Sequence, residues 1–442
     1  MNSTIKPGKP LYGTATIPGD KSISHRAALF AALAKGESLI ENFLVSGVTN
    51  AMLHALSTLG IPYSLTGTTL RIKGNGIRGF RTPQNAIHCG NSATTMRMLA
   101  GALAASGVRS VLDGSDGLRR RPMLRIVHPL QQMGVAISAS AGGGAPLQLE
   151  ERPDNIPLKP LHYRSTIASA QVKTCLLLAS LAASDYSVIS EPLLSRDHSE
   201  RLLSAMGVKI EQEFSGKAHS VKITPLQSAA LEPVHVVIPG DFSAAAFFIV
   251  ASLVVPGSHI FIENVGLNPT RTGLLDTLLE MGANIQISNV QTLSGEPIGN
   301  IEIRSSSLRG IHVSGERVVS MIDEFPIFAV AAAFAQGMTT VTGAEELRYK
   351  ESDRISDLCD QFKKVGISIW EKPDGFIIES NGKVAGNALV HPHGDHRLAM
   401  SLVIMGLASE NPITIQDTQI ISESFPEFLS ILQTLGADIS EL

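Results

Sequence analysis

One short phrase, a large apolar residue followed by glycine and a β-prone run, recurs six times: Leu59-Gly60, Met133-Gly134, Met206-Gly207, Met281-Gly282, Val365-Gly366 and Leu435-Gly436. Successive copies lie 70 to 84 residues apart. Self-similarity at so even a period constrains the fold strongly, because each copy must be a supersecondary unit of one kind. A second mark keeps step with the first, at Gly19-Asp20, Gly90-Asn91, Ala168-Ser169, Gly240-Asp241, Ile322-Asp323 and Gly394-Asp395. Each is an N-cap signal, and each precedes a helical run. Runs such as KSISHRAALFAALAKG and FSAAAFFIVASLVVPG are alanine-rich and apolar around most of their circumference, which predicts helices packed inside a domain. After each comes a β-branched segment such as ESLIENF, SHIFIEN or TTVTGAE, then an amphipathic helix ending at the glycine phrase, then further strand. The repeat reads as β-α-β-α-β-β.

Six repeats divide into two groups of three, with the break near Leu231 to Pro239, where LEPVHVVIPG joins the third to the fourth. At about 150 residues per domain, a chain of this length predicts two or three domains. An open six-repeat solenoid is the competing architecture, but such arrays rarely use so long a repeat or so many buried alanines. The first eighteen residues carry a strand-like stretch, LYGTATI, whose membership the repeats leave open.

Of the 442 residues, 44 % are hydrophobic and 17 % charged, as in ordinary globular proteins. A formal net charge of −4 excludes a broad nucleic-acid-binding face, so any basic function must come from local clusters. Cys89, Cys175 and Cys359 are far apart with no CxxC spacing, which argues against a metal site and a disulfide framework and fits a reducing compartment. The start, MNSTIKPGKP, has no apolar signal segment, and the longest apolar run, around Ala244 to Pro256, is too short to span a bilayer. A cytoplasmic protein without membrane or nucleic-acid partners is expected.

The local clusters of charge fall at the helix starts. Free backbone N–H groups and the positive end of the dipole there attract anions, by about 0.3–1 kcal/mol each. Side chains reinforce them: Lys21, Ser22 and Arg26 follow the first cap, Arg97 the second, Gln171 and Lys173 the third, and His396 and Arg397 the sixth. The connecting loops add Arg119, Arg120 and Arg121, then Arg196, Arg271, Arg348, Lys350 and Arg354. A single arginine is most simply a solvated or ion-paired surface residue. Arginines at equivalent places in several repeats point instead to carboxylate or phosphate recognition. Asp323, at the expected cap of the fifth helix, and Glu351, between Lys350 and Arg354, are candidate proton-transfer groups in this company, with a structural cap and an ion-pair partner as their plainer readings. GDKSISHR thus reads as an anion clamp for a small phosphorylated or carboxylated substrate, and the chain has neither a Walker A pattern nor a Rossmann glycine fingerprint.

GDKSISHR, GNSATTMR, LRRRPM, ASAQVK, SRDHSERL, NPTRTG, IDEFP, LRYKESDR, GDHR and SFPEF occur in that order across essentially the whole chain. In this the sequence closely resembles the 5-enolpyruvylshikimate-3-phosphate synthase family. The resemblance implies the enolpyruvyl transferase fold: α/β, an inside-out α/β barrel of two similar domains, each of three β-α-β-α-β-β units, with the active site in the cleft between them. It implies domains at 19–238 and at 1–18 with 239–442, the first strand crossing back to the carboxy-terminal domain. The implied reaction transfers the enolpyruvyl group of phosphoenolpyruvate to the 5-hydroxyl of shikimate 3-phosphate, releasing phosphate, in aromatic amino-acid biosynthesis. Motif matching assigns Lys21, Ser22, Arg26, Ser169, Ala170, Gln171, Arg196, Asp323 and Lys350 to shikimate 3-phosphate. It assigns Lys21, Asn91, Ala93, Thr94, Arg121, Gln171, Arg354 and Arg397 to phosphoenolpyruvate. Glu351 is expected to donate the proton and Asp323 to remove one, with Lys21 stabilising charge; no cofactor or metal is expected, and a monomer is.

Two departures from the family pattern stand out. Glu423 occupies the position in SESFPEF where many members carry lysine, and Ala93 stands where herbicide-sensitive members carry glycine. Both point toward the glyphosate-tolerant branch, since a methyl group at Ala93 would intrude on glyphosate more than on the shorter phosphoenolpyruvate. Two other readings compete. The sister enzyme acting on UDP-N-acetylglucosamine carries a reactive cysteine in the loop corresponding to GSDGLRRRPM, which has none here. A non-catalytic anion-binding protein would keep the arginines but have no turnover.

Overall fold

In the computed structural model, residues 2–226 and 230–441 are described. They form two compact units: the first comprises residues 19–238 with 293–296, and the second comprises the segment up to Pro18, 239–292 and 297 onward. Each unit has its own apolar core and three of the six four-stranded sheets among the described residues.

The repeats share one plan. In the third, strand His162–Arg164 leads into inner helix Ala170–Ser180, strand Ser187–Glu191, amphipathic helix His198–Ala205, and the hairpin Ile210–Ser215 and Ala218–Ile223. Its sheet places the leading strand parallel to the first strand after the inner helix, which pairs antiparallel with the last. In the first unit the leading strand of the first repeat comes from the far end of the unit: His235–Val237 pairs parallel with Lys35–Glu41, in register from His235 opposite Leu39. In the second unit Tyr12–Ala15 plays that part beside His259–Gly266. Ser3–Lys6, a strand missed by sequence reasoning, sits between Ile413–Ile415 and Asp438–Glu441 in the sheet of the sixth repeat.

The six inner helices are Lys21–Leu33, Ala93–Ser106, Ala170–Ser180, Phe242–Val254, Phe325–Ala333 and His396–Ala408. The fourth is buried from Phe242 to Leu253. Burial of each large apolar side chain contributes about 1.5–3 kcal/mol, which outweighs the modest helix propensities of its Phe, Val and Ile residues. The outer helices are one-sided: in Arg354–Lys364 the buried apolar residues are Ile355, Leu358, Cys359 and Phe362, at helical spacing.

The recurrent glycine is the residue just past the C-cap of each outer helix. All six adopt positive φ, from 81° at Gly60 to 112° at Gly436. At each, the glycine N–H reaches back three residues and the next N–H five, as in Gly60 to Ser57 and Ile61 to Leu56. This is the Schellman arrangement, which satisfies the last carbonyls and needs a left-handed residue. Its usual apolar partners are present throughout, from Ile61 with Leu56 to Ala437 with Leu432. The same geometry that ends the helix also creates the sequence repeat.

Helix starts differ from expectation at two places. Ser92, not Asn91, caps the second inner helix, accepting from the Thr95 N–H at 3.1 Å. The fifth begins at Phe325 after Glu324, so Asp323 lies before the cap. Pro326, in the first turn, has no N–H to leave unsatisfied and fixes the start there. At Gly19, before the Asp20 cap, an added Cβ would lie 1.8 Å from the Asn42 carbonyl oxygen, so no side chain fits.

Candidate active site

In the first unit three inner-helix starts carry the predicted anion groups. Asp20 caps the first helix through the Ile23 N–H at 2.8 Å, leaving Lys21 and Ser22 half-buried in its opening turn. Arg196 Nη1 donates to Ser22 Oγ at 3.3 Å, tying the SRDH segment to that turn. Arg26 lies one turn deeper, 2 % exposed. Its guanidinium donates to Ser199 Oγ (2.7 Å), Ser22 O (2.9 Å) and Thr174 Oγ1 (3.0 Å), joining the first and third inner helices to the helix after Arg196. Sequence reasoning missed Thr174 and Ser199, because a lone hydroxyl in an apolar helix carries no motif.

The second and third helix starts are linked by a polar chain. Gln171 Nε2 donates to Thr94 Oγ1 at 2.9 Å, and Gln171 Oε1 accepts from Arg97 Nη1 at 2.5 Å. Arg97 Nη2 donates to the Pro122 carbonyl at 3.0 Å, next to buried Arg121. Asn91 Oδ1 accepts from Ser115 Oγ at 3.0 Å, and Ala93, 2 % exposed, opens the second helix. Ser169 caps the third helix, with Ala170 as its first residue. The structure therefore brings Asn91, Thr94, Arg97 and Gln171 into one neighbourhood, and Lys21, Ser22, Arg26 and Arg196 into another.

Several of the bases read as anion ligands from the sequence bind the protein itself. Lys173 points into the core between Glu191 and Glu200, at 2.7 Å from each. In the second unit Arg271 is buried against Asp241 Oδ1 (2.9 Å) and Ser243 Oγ (2.7 Å), and Ser243 donates onward to buried Glu324. Sequence shows positive charge but not the carboxylate that the fold sets beside it. Arg348 is likewise held, by Asp353 at 2.8 Å and Glu371 at 2.9 Å.

The second unit collects Asp323, Lys350, Glu351, Arg354 and Arg397 in one cluster. Arg354, 2 % exposed, is its centre. Nε bonds Asp395 Oδ2 at 2.6 Å, Nη2 bonds Glu351 Oε2 at 2.8 Å, and Nη1 lies 3.6 Å from Asp323 Oδ1. Burial opposes the charged guanidinium, yet the Asp395, Glu351 and Asp323 carboxylates outweigh it and raise its pKa. Asp395 caps the sixth helix through the N–H groups of Arg397 (2.8 Å) and Leu398 (3.3 Å) while gripping Arg354, a second role that its cap signal did not reveal. Burial pushes its carboxyl up, but Arg354 leads the opposing causes and holds it below the usual range. Asp323 also faces Lys350 at 3.7 Å and Arg397 at 3.9 Å. These ion pairs are longer than a charge-assisted hydrogen bond, while the carboxylate keeps 18 % of its side-chain surface exposed. Asp323 and Glu351 are thus two partly exposed acids held on one fixed cation. Among the described residues no group of His, Cys, Asp and Glu is arranged to hold a metal ion.

Comparison with known proteins decides the family. A model described as EPSP synthase (3-phosphoshikimate 1-carboxyvinyltransferase) matches residues 5–432. The chain belongs to the EPSP synthase family. A family member from Geobacter metallireducens, a 3-phosphoshikimate 1-carboxyvinyltransferase, is 44 % identical over 435 residues, covering 98 % of this chain and 99 % of the relative. Another of that name, from Carboxydothermus hydrogenoformans, is 46 % identical over 428 residues, 97 % of each. The solved EPSP synthase of Acinetobacter baumannii superposes with a TM-score of 0.85 at 38 % identity, covering all of both chains. The enolpyruvyl transferase NikO of Streptomyces tendae, at 17 % identity, shares the fold, with a TM-score of 0.77 over 99 % of this chain and 98 % of its own. The family resemblance and the two-domain α/β enolpyruvyl transferase fold expected from the sequence are thus borne out.

Proposed function

We propose that this EPSP synthase family member transfers the carboxyvinyl group of phosphoenolpyruvate to the 5-hydroxyl of shikimate 3-phosphate and releases phosphate. The observation that carries the reading is the pair of partly exposed carboxylates, Asp323 and Glu351, sharing buried Arg354 (3.6 and 2.8 Å) beside Lys350 and Arg397. Both substrates are multiply anionic, so fixed cations must offset their repulsion before the 5-oxygen can reach the vinyl carbon. Lys21, Ser22, Arg26, Ser169, Ala170, Gln171, Arg196, Asp323 and Lys350 serve shikimate 3-phosphate. Lys21, Asn91, Ala93, Thr94, Arg121, Gln171, Arg354 and Arg397 serve phosphoenolpyruvate. Asp323 takes the hydroxyl proton as the 5-oxygen bonds to the vinyl carbon and Glu351 delivers a proton to the methylene carbon; loss of phosphate together with a proton from the resulting methyl group restores the double bond, with Lys21 stabilising charge. Asp323→Asn should lower kcat by about 10²–10⁴-fold while shikimate 3-phosphate still binds. Unchanged kcat would remove Asp323 from the chemistry.

The UDP-N-acetylglucosamine reading is not favoured. Cys89 is fully buried, and its thiol is pushed up to about 12 by burial, with the Asp113 charge adding to it. We also place the protein in the glyphosate-tolerant branch, in the cytoplasm, as a monomer. Support for tolerance comes from the Ala93 methyl, buried at the first position of the second inner helix. Inhibition of the purified protein tests this: Ala93→Gly should increase glyphosate sensitivity, and micromolar inhibition of the unaltered chain would contradict it.

A further inference from the structure

Lys173 lies in the first half of the third inner helix, 2 % exposed, with Glu191 and Glu200 buried beside it. Such a cluster is a poor source of stability. Each buried ion gives up its hydration, and well-packed apolar residues of similar volume often do as well or better. Its placement suggests another purpose. Glu191 ends the strand Ser187–Glu191, and Glu200 lies in the helix His198–Ala205. Arg196 is in the segment between them. Lys173 Nζ therefore grips both flanks of that segment, at 2.7 Å each. The backbone next to Arg196 is held as well: the Ser195 N–H donates to Glu191 Oε1 at 2.9 Å, and the Ser195 carbonyl accepts from Lys173 Nζ at 3.4 Å. His219 Nδ1, 3.4 Å from Glu191 Oε1, closes the cluster from the hairpin side. The adjacent helical residue, Thr174, meets Ser199 at 2.5 Å. One step past Ser195, Arg196 reaches Ser22 Oγ at 3.3 Å.

We propose that the Lys173–Glu191–Glu200 cluster is a positioning device that fixes Arg196 against the Ser22 turn and thereby sets affinity for the phosphorylated shikimate substrate. This rests on the reading of Arg196 as a ligand of that substrate. Lys173 touches no reacting atom, so its effect falls on the KM for shikimate 3-phosphate and not on the chemical step.

The test compares Arg196→Ala, Lys173→Met, the triple variant Lys173→Met/Glu191→Leu/Glu200→Leu, and that triple combined with Arg196→Ala. The single Lys173→Met leaves two buried carboxylates without their lysine and can unfold the chain; the triple removes the lysine and both carboxylates together and puts apolar side chains in their place, leaving His219 of the cluster. A folded triple variant, checked by circular dichroism and thermal melting, is expected to show KM for shikimate 3-phosphate raised roughly tenfold, the scale of a lost charged hydrogen bond. Its kcat and KM for phosphoenolpyruvate should stay within about twofold, and adding Arg196→Ala should raise the KM little further. A purely structural role predicts that the stable triple restores wild-type KM. That result, alongside a raised KM in Arg196→Ala alone, overturns the positioning role while leaving Arg196 as a ligand. No change in Arg196→Ala itself would overturn the ligand reading and the positioning role with it.

Discussion

At the residue scale, charge pairing decides what each basic side chain can do. Arg354 and Arg271 are both buried arginines in loops marked by the sequence as anion-binding, yet one centres a cluster with partly exposed acids and the other is enclosed by Asp241 and Ser243. Nothing in NPTRTG or YKESDR separates them, because most of the groups that decide lie outside either motif: Asp241 and Ser243 for Arg271, Asp323 and Asp395 for Arg354. His25 is a further case. It is buried in the first inner helix with Nδ1 at 2.8 Å from the Lys21 carbonyl and Nε2 at 3.2 Å from that of Val48. Burial is the main cause that pushes its pKa from 6.5 down to about 4. The unfolded chain binds this proton more tightly, so the contribution is fully present above about 6.5 and is lost as pH falls toward 4, roughly 3 kcal/mol in all. Urea unfolding of wild type and His25→Gln across that range should show a stability difference that shrinks as pH falls. A pH-independent difference would mean that His25 is not the group being titrated.

At the element scale, the six helix ends were the most legible feature, since one backbone requirement wrote the same glycine into every repeat. The inner helices were legible too, because alanine-rich runs apolar on all sides have only the core to occupy. Helix starts were less so: Asn91 and Asp323 satisfy a cap pattern, but Ser92 and the Pro326 turn set the actual boundaries. Strands as short as Ile137–Ser138 and His312–Val313 have too few residues for alternation to register. The glycine argument makes a separable prediction at Gly134, where φ is +89° and an added Cβ would meet nothing within 4 Å. Gly134→Ala should destabilise by about 1 kcal/mol through backbone strain alone, and Gly134→Asn by less, read as shifts in the urea midpoint. Equal stability of the alanine variant would show that the left-handed conformation is not what the repeat selects.

At the scale of the whole molecule, sixfold periodicity and motif order together make the two-domain α/β fold and the family readable from the sequence. The amino-terminal strand Ser3–Lys6 was not readable, because its pattern means nothing without partners more than four hundred residues away: Ile5 lies opposite Ile413 on one side and Ile439 on the other. The chemistry divides similarly. Each unit holds its own set of basic side chains, Arg26, Arg97 and Arg196 in the first and Lys350, Arg354 and Arg397 in the second. The decisive measurement is phosphate release by the purified protein with both phosphoenolpyruvate and shikimate 3-phosphate present, and with each omitted in turn. The account predicts steady release only when both are supplied, with one enolpyruvyl ether formed per phosphate freed. Release from phosphoenolpyruvate alone at the same rate, or none with both substrates present, would contradict it.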